Sequence, residues 1–302
     1  MPKPVLSADH YHNEEAAFAW VEAHLWPTGP VCPHCGNTDS AKIGRLQGKT
    51  SRAGLRKCYA CREAFTVRIG TIFEDSHLAL HKWLQAIYLL CASKKGISTR
   101  QLQRTLGCGM KTAWHLGHRI RFAMDPGKTG PMGGSGKTIE ADETFLTRSR
   151  KTRGAIGSGR TDRQVLSLVE RDGPIRSMSL DERNVRMELR RHIQPDTRLV
   201  TDGAQHFKLM FLDHESVDHS KGEYVRGDVH TNTLEGFFSI FKRGLVGVYQ
   251  HMDARHLDRY LAEFDFRQNT RAKLGIDDSQ RAEIALQGVK GKRLTYQTTG
   301  QA

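Results

Sequence analysis

Two Cys-x-x-Cys pairs constrain this chain more than any other feature. Cys32-Pro-His-Cys35 and Cys58-Tyr-Ala-Cys61 are separated by 22 residues. At that spacing each pair forms a tight knuckle, and the four thiolates surround one Zn²⁺ tetrahedrally. So small a module has little apolar core, and the metal supplies its folding free energy. Gly36 suits the first turn, and Lys42, Arg45, Lys49, Arg52, Arg56 and Lys57 make the intervening ribbon basic. Phe65-Thr-Val-Arg-Ile69 has strand character. A redox role leaves the second pair unexplained. Cys91 and Cys108 stand alone in apolar or helical surroundings and read as core thiols.

The rest of the composition narrows the partners. The chain carries 46 Lys and Arg against 33 Asp and Glu, a formal charge of +13. Such a balance favours a polyanion, nucleic acid ahead of a membrane surface. The first 125 residues hold 17 Lys and Arg against 9 Asp and Glu, so the electrostatic footprint is densest at the front. Hydrophobic residues make up 38% of the chain, enough for packed cores. No apolar run reaches the roughly 18–20 residues a membrane span needs. Residues 1–12 lack a charged-then-apolar signal layout, so the expected location is cytoplasmic, where cysteines bind metals rather than pair.

Residues 8–26 show helical spacing in Ala16, Ala17, Trp20, Val21, His24 and Leu25, closed by Pro27 and Gly29. Helical periodicity returns at 78–92 and at 98–124. Within the second stretch, Ser98 caps one helix with Leu102 and Leu106 on its apolar face, and Gly107 supplies a left-handed turn. Met110, Ala113, Trp114 and Ile120 fit the inner face of a following helix. Lys111, Thr112, His115, His118, Arg119 and Arg121 are then expected to face outward or toward DNA, a helix-turn-helix pattern with a plain helical hairpin as its alternative. Residues 125–137 hold five glycines and two prolines and read as a linker.

Beyond the linker the pattern changes to short strands: 138–146, 164–170 and 175–179. A helix at 184–192, a strand at 199–202 and helices near 204–212, 232–243 and 253–269 follow. That order is expected for an RNase H-like α/β domain, with the basic stretch 148–163 as a loop. Asp142 falls in the first strand, Asp202 closes a buried strand, and Glu235 opens a helix with Lys242 two turns on, on the same face. Alternation sends Glu143 to the opposite face from Asp142. Three hard oxygen donors of this kind suit two Mg²⁺ or Mn²⁺ ions, which catalyse in-line displacement at phosphorus. Lys242 suits contact with substrate phosphate. Asn232 reads as a helix cap, a metal ligand or both, and His230 precedes it in a loop.

These blocks together resemble the bacterial insertion-sequence transposases of the DDE type that carry an N-terminal zinc ribbon, the ISXO2-like group. The resemblance spans about residues 12–270. It rests on the four cysteines, Gly70-Thr-Ile-Phe-Glu-Asp-Ser76 through Lys82-Trp-Leu84, Leu102 to Arg121, Glu140-Ala-Asp-Glu-Thr-Phe145 and Val200-Thr-Asp-Gly203. The most specific blocks are His230-Thr-Asn-Thr-Leu-Glu-Gly-Phe-Phe-Ser-Ile-Phe-Lys-Arg243 and Tyr260 to Asn269. It implies binding to terminal inverted repeats, cleavage at the element ends and joining of a 3′-hydroxyl to target DNA, by a homo-oligomer on paired ends. Asp142 and Asp202 take the places of the first two acids. Either Asn232 or Glu235 takes the third, the seven-residue step to Lys242 favouring Glu235. A DNA-binding regulator without catalysis, or an RNase H-like nuclease that does not join strands, are the competing readings. The expected layout is an N-terminal helix (1–29), a zinc ribbon (30–73), a helical DNA-binding region (74–124), a linker (125–137), an RNase H-like domain (138–270) and a C-terminal tail (271–302).

Overall fold

The computed structural model describes residues 3–48, 51–146, 163–180, 184–202, 213–250 and 252–295. Most of the expected basic loop at 148–163, and the helix expected near 204–212, fall outside these residues. The chain divides into two compact units, one of residues 1–126 with 270–302 and one of residues 127–269. No helix among the described residues is long and apolar enough to cross a membrane.

The first unit opens with α1 (Glu14–Leu25), capped by Asn13, whose side chain accepts the Ala16 N–H. A three-stranded antiparallel ribbon follows, in the order β1 (Ile43–Arg45), β2 (Arg56–Cys58), β3 (Ala64–Phe65). Its core is minimal, with Cys32, Ile43, Cys58 and Phe65 buried and Trp26 packed against them. Arg56, counted among the basic ribbon residues, makes a two-pronged pair with Glu22 (Nε–Oε1 3.2 Å, Nη2–Oε2 2.6 Å) and lies over the Trp26 ring. It fastens the ribbon to α1.

Helices α2 (Leu80–Ala92), α3 (Thr99–Leu106) and α4 (Met110–Met124) complete the front of this unit. Ala79 cannot cap α2, and Glu14 does so from a distance, accepting the Leu80 and His81 N–H groups at 2.8 and 3.1 Å. A carboxylate there also meets the positive end of the helix dipole. Ser98 caps α3 through the Gln101 N–H, and Gly107 closes it at φ +60°, as its place in the sequence predicts.

Residues 271–295 are no free tail. Asp277 and Gln280 form a reciprocal capping box at the start of α8 (Asp278–Gln287). Ala282, Ala285, Leu286 and Val289 are buried. Buried Arg281 donates to the Thr270 and Cys91 carbonyls, tying α8 to the end of α2. Thr71 and Lys290 form a single antiparallel bridge between the two ends of the unit.

The second unit is built on a five-stranded sheet ordered β6-β5-β4-β7-β8. The strands are β4 (Thr138–Leu146), β5 (Arg163–Glu170), β6 (Ile175–Ser179), β7 (Arg198–Thr201) and β8 (His214–Ser216). β4, β5 and β6 form an antiparallel meander, while β7 and β8 join β4 in parallel. Parallel strands need crossovers, and α5 (Val185–His192) lies between β6 and β7 in the chain. β8 carries only His-Glu-Ser and has no apolar signature.

Helices α6 (Asn232–Gly244) and α7 (Leu257–Asn269) follow, the first running on into a π-helical turn at Leu245–Tyr249. One sheet face packs against α6 and α7 through Val165, Val169, Phe237, Phe241, Leu261 and Phe264. The other packs against α5 through Ile139, Ala141, Leu166, Leu168, Leu189 and Leu199. Ile139 and Ala141 point to the α5 face, so strand alternation sends Glu140 and Asp142 to the α6 face.

β6 is an edge strand, whose outward backbone groups invite pairing with other chains. Here α7 covers them. Asp258 accepts the Ser179 N–H (3.0 Å), Asp265 accepts the Ser177 N–H (2.6 Å), and Asn269 bonds both the N–H and C=O of Ile175 (2.7 and 3.0 Å). The strand residues recur every second position, and their helical partners fall along one side of α7.

The second half of the expected linker belongs to this unit. Met132 bridges to Ile193, and the Gly134 N–H bonds Thr197 Oγ1 at 2.9 Å. Gly133 sits at φ +85°, where a Cβ would stand 2.3 Å from Thr197 Oγ1, so only glycine passes there.

Candidate metal centres

The ribbon brings Cys32, Cys35, Cys58 and Cys61 together, with all four sulfur atoms within 4.8 Å of one another. Cys32–Cys61 and Cys35–Cys58 are each 3.7 Å apart. A tetrahedron with Zn–S bonds of about 2.3 Å has edges near ~3.8 Å. The donor set therefore fits Zn²⁺ in chemistry and in size. N–H groups of Cys61 and Ala60 point at Cys58 and pull its thiol down to about 6, while burial and the neighbouring sulfurs push the Cys35 and Cys61 thiols up. Among the described residues this is the group of three or more His, Cys, Asp or Glu that gathers so closely.

The second centre lies on the α6 face of the five-stranded sheet. Asp142 sits in β4 one residue beyond Ala141, which pairs with Thr201 of β7. Asp202 directly follows Thr201, so the two acids emerge side by side from neighbouring parallel strands. Glu235, on α6, is near enough for its charge to reach Asp142. The Asp142 carboxyl is pushed from 3.8 up to about 7, first by burial, then by the Asp202 charge. The Glu143 N–H, 2.7 Å from Asp142 Oδ1, pulls the other way, and the charges of Glu235 and Glu143 add to the rise. A buried carboxyl raised this far within reach of two other acidic charges marks a candidate cation site.

Glu235 is half-exposed, its Oε1 3.7 Å from His219 Nε2. His219 lies in the segment after β8, its ring tilted against Tyr224 at 4.9 Å. The sequence reading did not include His219, which sits in a polar stretch without periodicity. Asn232 is the first residue of α6 and exposed, while Thr231 holds the capping position, so Asn232 is not the helix cap. Lys242 is exposed on the same helix. His230 Nδ1 lies 3.6 Å from buried Glu140.

The residues expected to face DNA divide into two sets. Lys111 and Thr112 are exposed and His115 half-buried, and the three line a groove of about 790 Å³ beside the 74–78 segment. Arg119 and Arg121 are 5% and 4% exposed, and His118 is buried too. Arg119 donates to the Glu74 carbonyl at 2.5 Å and its guanidinium lies over the Trp83 ring. These side chains are part of the folded interior, a correction to the expectation that the whole polar face of α4 looks outward. Cys91 is buried as expected of a core thiol, and Cys108 is partly exposed.

The comparisons find the same order, a four-cysteine ribbon ahead of an α/β unit. Residues 133–269 match the ISXO2-like transposase domain, and residues 12–64 match the transposase zinc-ribbon domain. The chain thus carries a region similar to the ISXO2-like transposase domain behind one similar to the transposase zinc ribbon. An uncharacterized protein in transposable element ISH50 of Halobacterium salinarum is 29% identical over 270 residues, which cover 83% of this chain and 89% of that protein. No solved structure matches the chain.

Proposed function

We propose that this transposase binds the terminal inverted repeats of its element, cleaves there, and joins the freed 3′-hydroxyl to target DNA in a reaction dependent on Mg²⁺ or Mn²⁺. The observation that carries this reading is the placement of Asp142 and Asp202 at the ends of paired parallel strands, with the Asp202 and Glu235 charges both raising the buried Asp142 carboxyl. The strand order, an antiparallel meander extended by two parallel strands, supports an RNase H-like domain. The α3–Gly107–α4 pair supports a helix-turn-helix that meets DNA through Lys111, Thr112 and His115 at the start of α4.

The acids fit hard divalent cations, because they offer only oxygen and carry the negative charge that burial otherwise makes costly. Asp142 and Asp202 would hold the ions from the sheet and Glu235 from the helix, with Asn232 the neutral alternative three residues earlier. Divalent ions held by these residues would supply activation of the attacking oxygen and stabilisation of the leaving one. Divalent cations held there would favour the ionised form of Asp142, which burial and the neighbouring acids disfavour. Lys242 lies two turns beyond Glu235 and meets the substrate phosphate as a point charge.

A strand-transfer assay with a pre-cleaved element end tests the proposal. The expected result is a joined product that requires Mg²⁺ or Mn²⁺. Cleavage without joining would make the protein a nuclease, and end binding without either activity would make it a regulator.

A further inference from the structure

We infer that Glu140 is a positioning residue for the acid cluster, a buried carboxylate on β4 that caps α6 from outside and sets Glu235 against Asp142. The inference rests on the catalytic reading of that cluster. Glu140 is fully buried. Its Oε2 accepts the backbone N–H of Thr233 at 3.2 Å, and its Oε1 accepts the Thr233 hydroxyl at 3.0 Å. Arg171 Nε donates to Oε1 at 3.4 Å, and Arg171 Nη2 donates to the His230 carbonyl at 3.4 Å.

The first N–H groups of a helix have no partner within it and normally take one from a capping side chain. Thr231, at the capping position of α6, makes no such bond. Glu140 replaces it, from 93 residues away in the chain. A buried carboxylate is costly unless charge-assisted hydrogen bonds and a cation surround it, and here Thr233 and Arg171 supply both. Asp142 lies two residues beyond Glu140 on the same face of β4. Glu235 lies two residues beyond Thr233 on α6, about 200° round the helix and within its first turn. Fastening the start of α6 to β4 through Glu140 and Thr233 therefore limits where Glu235 can stand relative to Asp142.

Side chains that orient metal ligands tune metal affinity, and their loss costs about 10- to 100-fold. The test measures Mn²⁺ binding by electron paramagnetic resonance on the full-length, zinc-loaded protein, alongside the Mn²⁺ dependence of strand transfer. Glu140→Ala should weaken Mn²⁺ binding by about tenfold or more, with element-end binding at the wild-type level. Glu140→Gln keeps one acceptor for Thr233 and should recover part of that loss. Thr233→Val removes only the hydroxyl and should shift Mn²⁺ binding in the same direction by a smaller factor. If Glu140→Ala does not fold, the other two variants carry the test.

Wild-type Mn²⁺ affinity in the folded variants, even with a lowered melting temperature, would overturn the inference and leave Glu140 a purely structural residue. Asp142→Ala separates this from the reading beneath it. Strand transfer that survives Asp142→Ala refutes the catalytic site itself. An inactive Asp142→Ala beside unshifted Glu140 and Thr233 variants refutes only the positioning role.

Discussion

Replacing Asp142 by Asn should stabilise the ion-free protein, and by an amount that depends on pH. The Asp142 carboxyl is raised from 3.8 in the unfolded chain to about 7 in the fold. The native state therefore holds this proton more tightly than the unfolded state does. Stability contributed by that proton is present below the unfolded value and is lost as pH rises through about 7. Each tenfold change in proton affinity is worth about 1.4 kcal/mol, so ionising Asp142 at pH 8 costs on the order of 4 kcal/mol. At pH 5 the native carboxyl keeps its proton and the cost falls below about 2 kcal/mol. Asn is neutral at both pH values and its Oδ1 still accepts the Glu143 N–H, so it removes the charge with little change of shape.

The assay is native-state hydrogen exchange across β4 and β5 in zinc-loaded protein free of other divalent ions. All four tryptophans lie in the first unit, which makes fluorescence blind to the second. Asp142→Asn should gain protection at pH 8 and gain clearly less at pH 5. Added Mg²⁺ should narrow the pH 8 gap by stabilising the wild type alone. An equal gain at both pH values, or a loss at pH 8, would refute the claim that the fold holds the Asp142 carboxyl well above its ordinary value.

Three further outcomes are expected. Cys58→Ser should drop the zinc content below one per chain and weaken binding to element ends, measured by atomic absorption and gel shift; full zinc content would contradict the four-cysteine site. Lys111→Ala should reduce the salt slope of end binding by about 1 with the fold intact, whereas Arg119→Ala should lower the thermal stability of the first unit. A normal salt slope in the first variant, or a normal melting temperature in the second, would reverse the assignment of these side chains. Asp265→Ala leaves the Ser177 N–H and hydroxyl of the edge strand without that acceptor and should cost about 2–3 kcal/mol by urea unfolding; an unchanged midpoint would show that α7 does not hold β6 this way.

The parts of the fold that were legible in sequence are those whose signal is local. Knuckle spacing located the ribbon, Ser98 and Gly107 bounded α3, and short apolar runs separated by turns marked β4, β5 and β6. β8 escaped because three polar residues at a sheet margin carry no hydrophobic pattern. α8 escaped because its buried face is two alanines, an arginine and one leucine, too little for an apolar stripe. The acids could be named singly from their elements, but their meeting depends on β7 lying parallel to β4, a non-local pairing. Arg119 misled for a related reason: a basic residue on a helix reads as surface until a carbonyl and an aromatic ring are found to hold it. Glu140 and Glu14 are the clearest cases of what sequence hides. Each caps a helix more than 60 residues away, and capping patterns are sought within a few residues of the helix start.

The central claim is that Asp142, Asp202 and Glu235 act together on DNA. Single-turnover joining of a pre-cleaved element end, with wild type beside Asp202→Asn and Glu235→Gln, tests it most directly. The account predicts joined product from the wild type with Mg²⁺ or Mn²⁺, and none above background from either variant, with end binding retained in both. Wild-type joining by Glu235→Gln would move the third position to Asn232, and wild-type joining by Asp202→Asn would contradict the account.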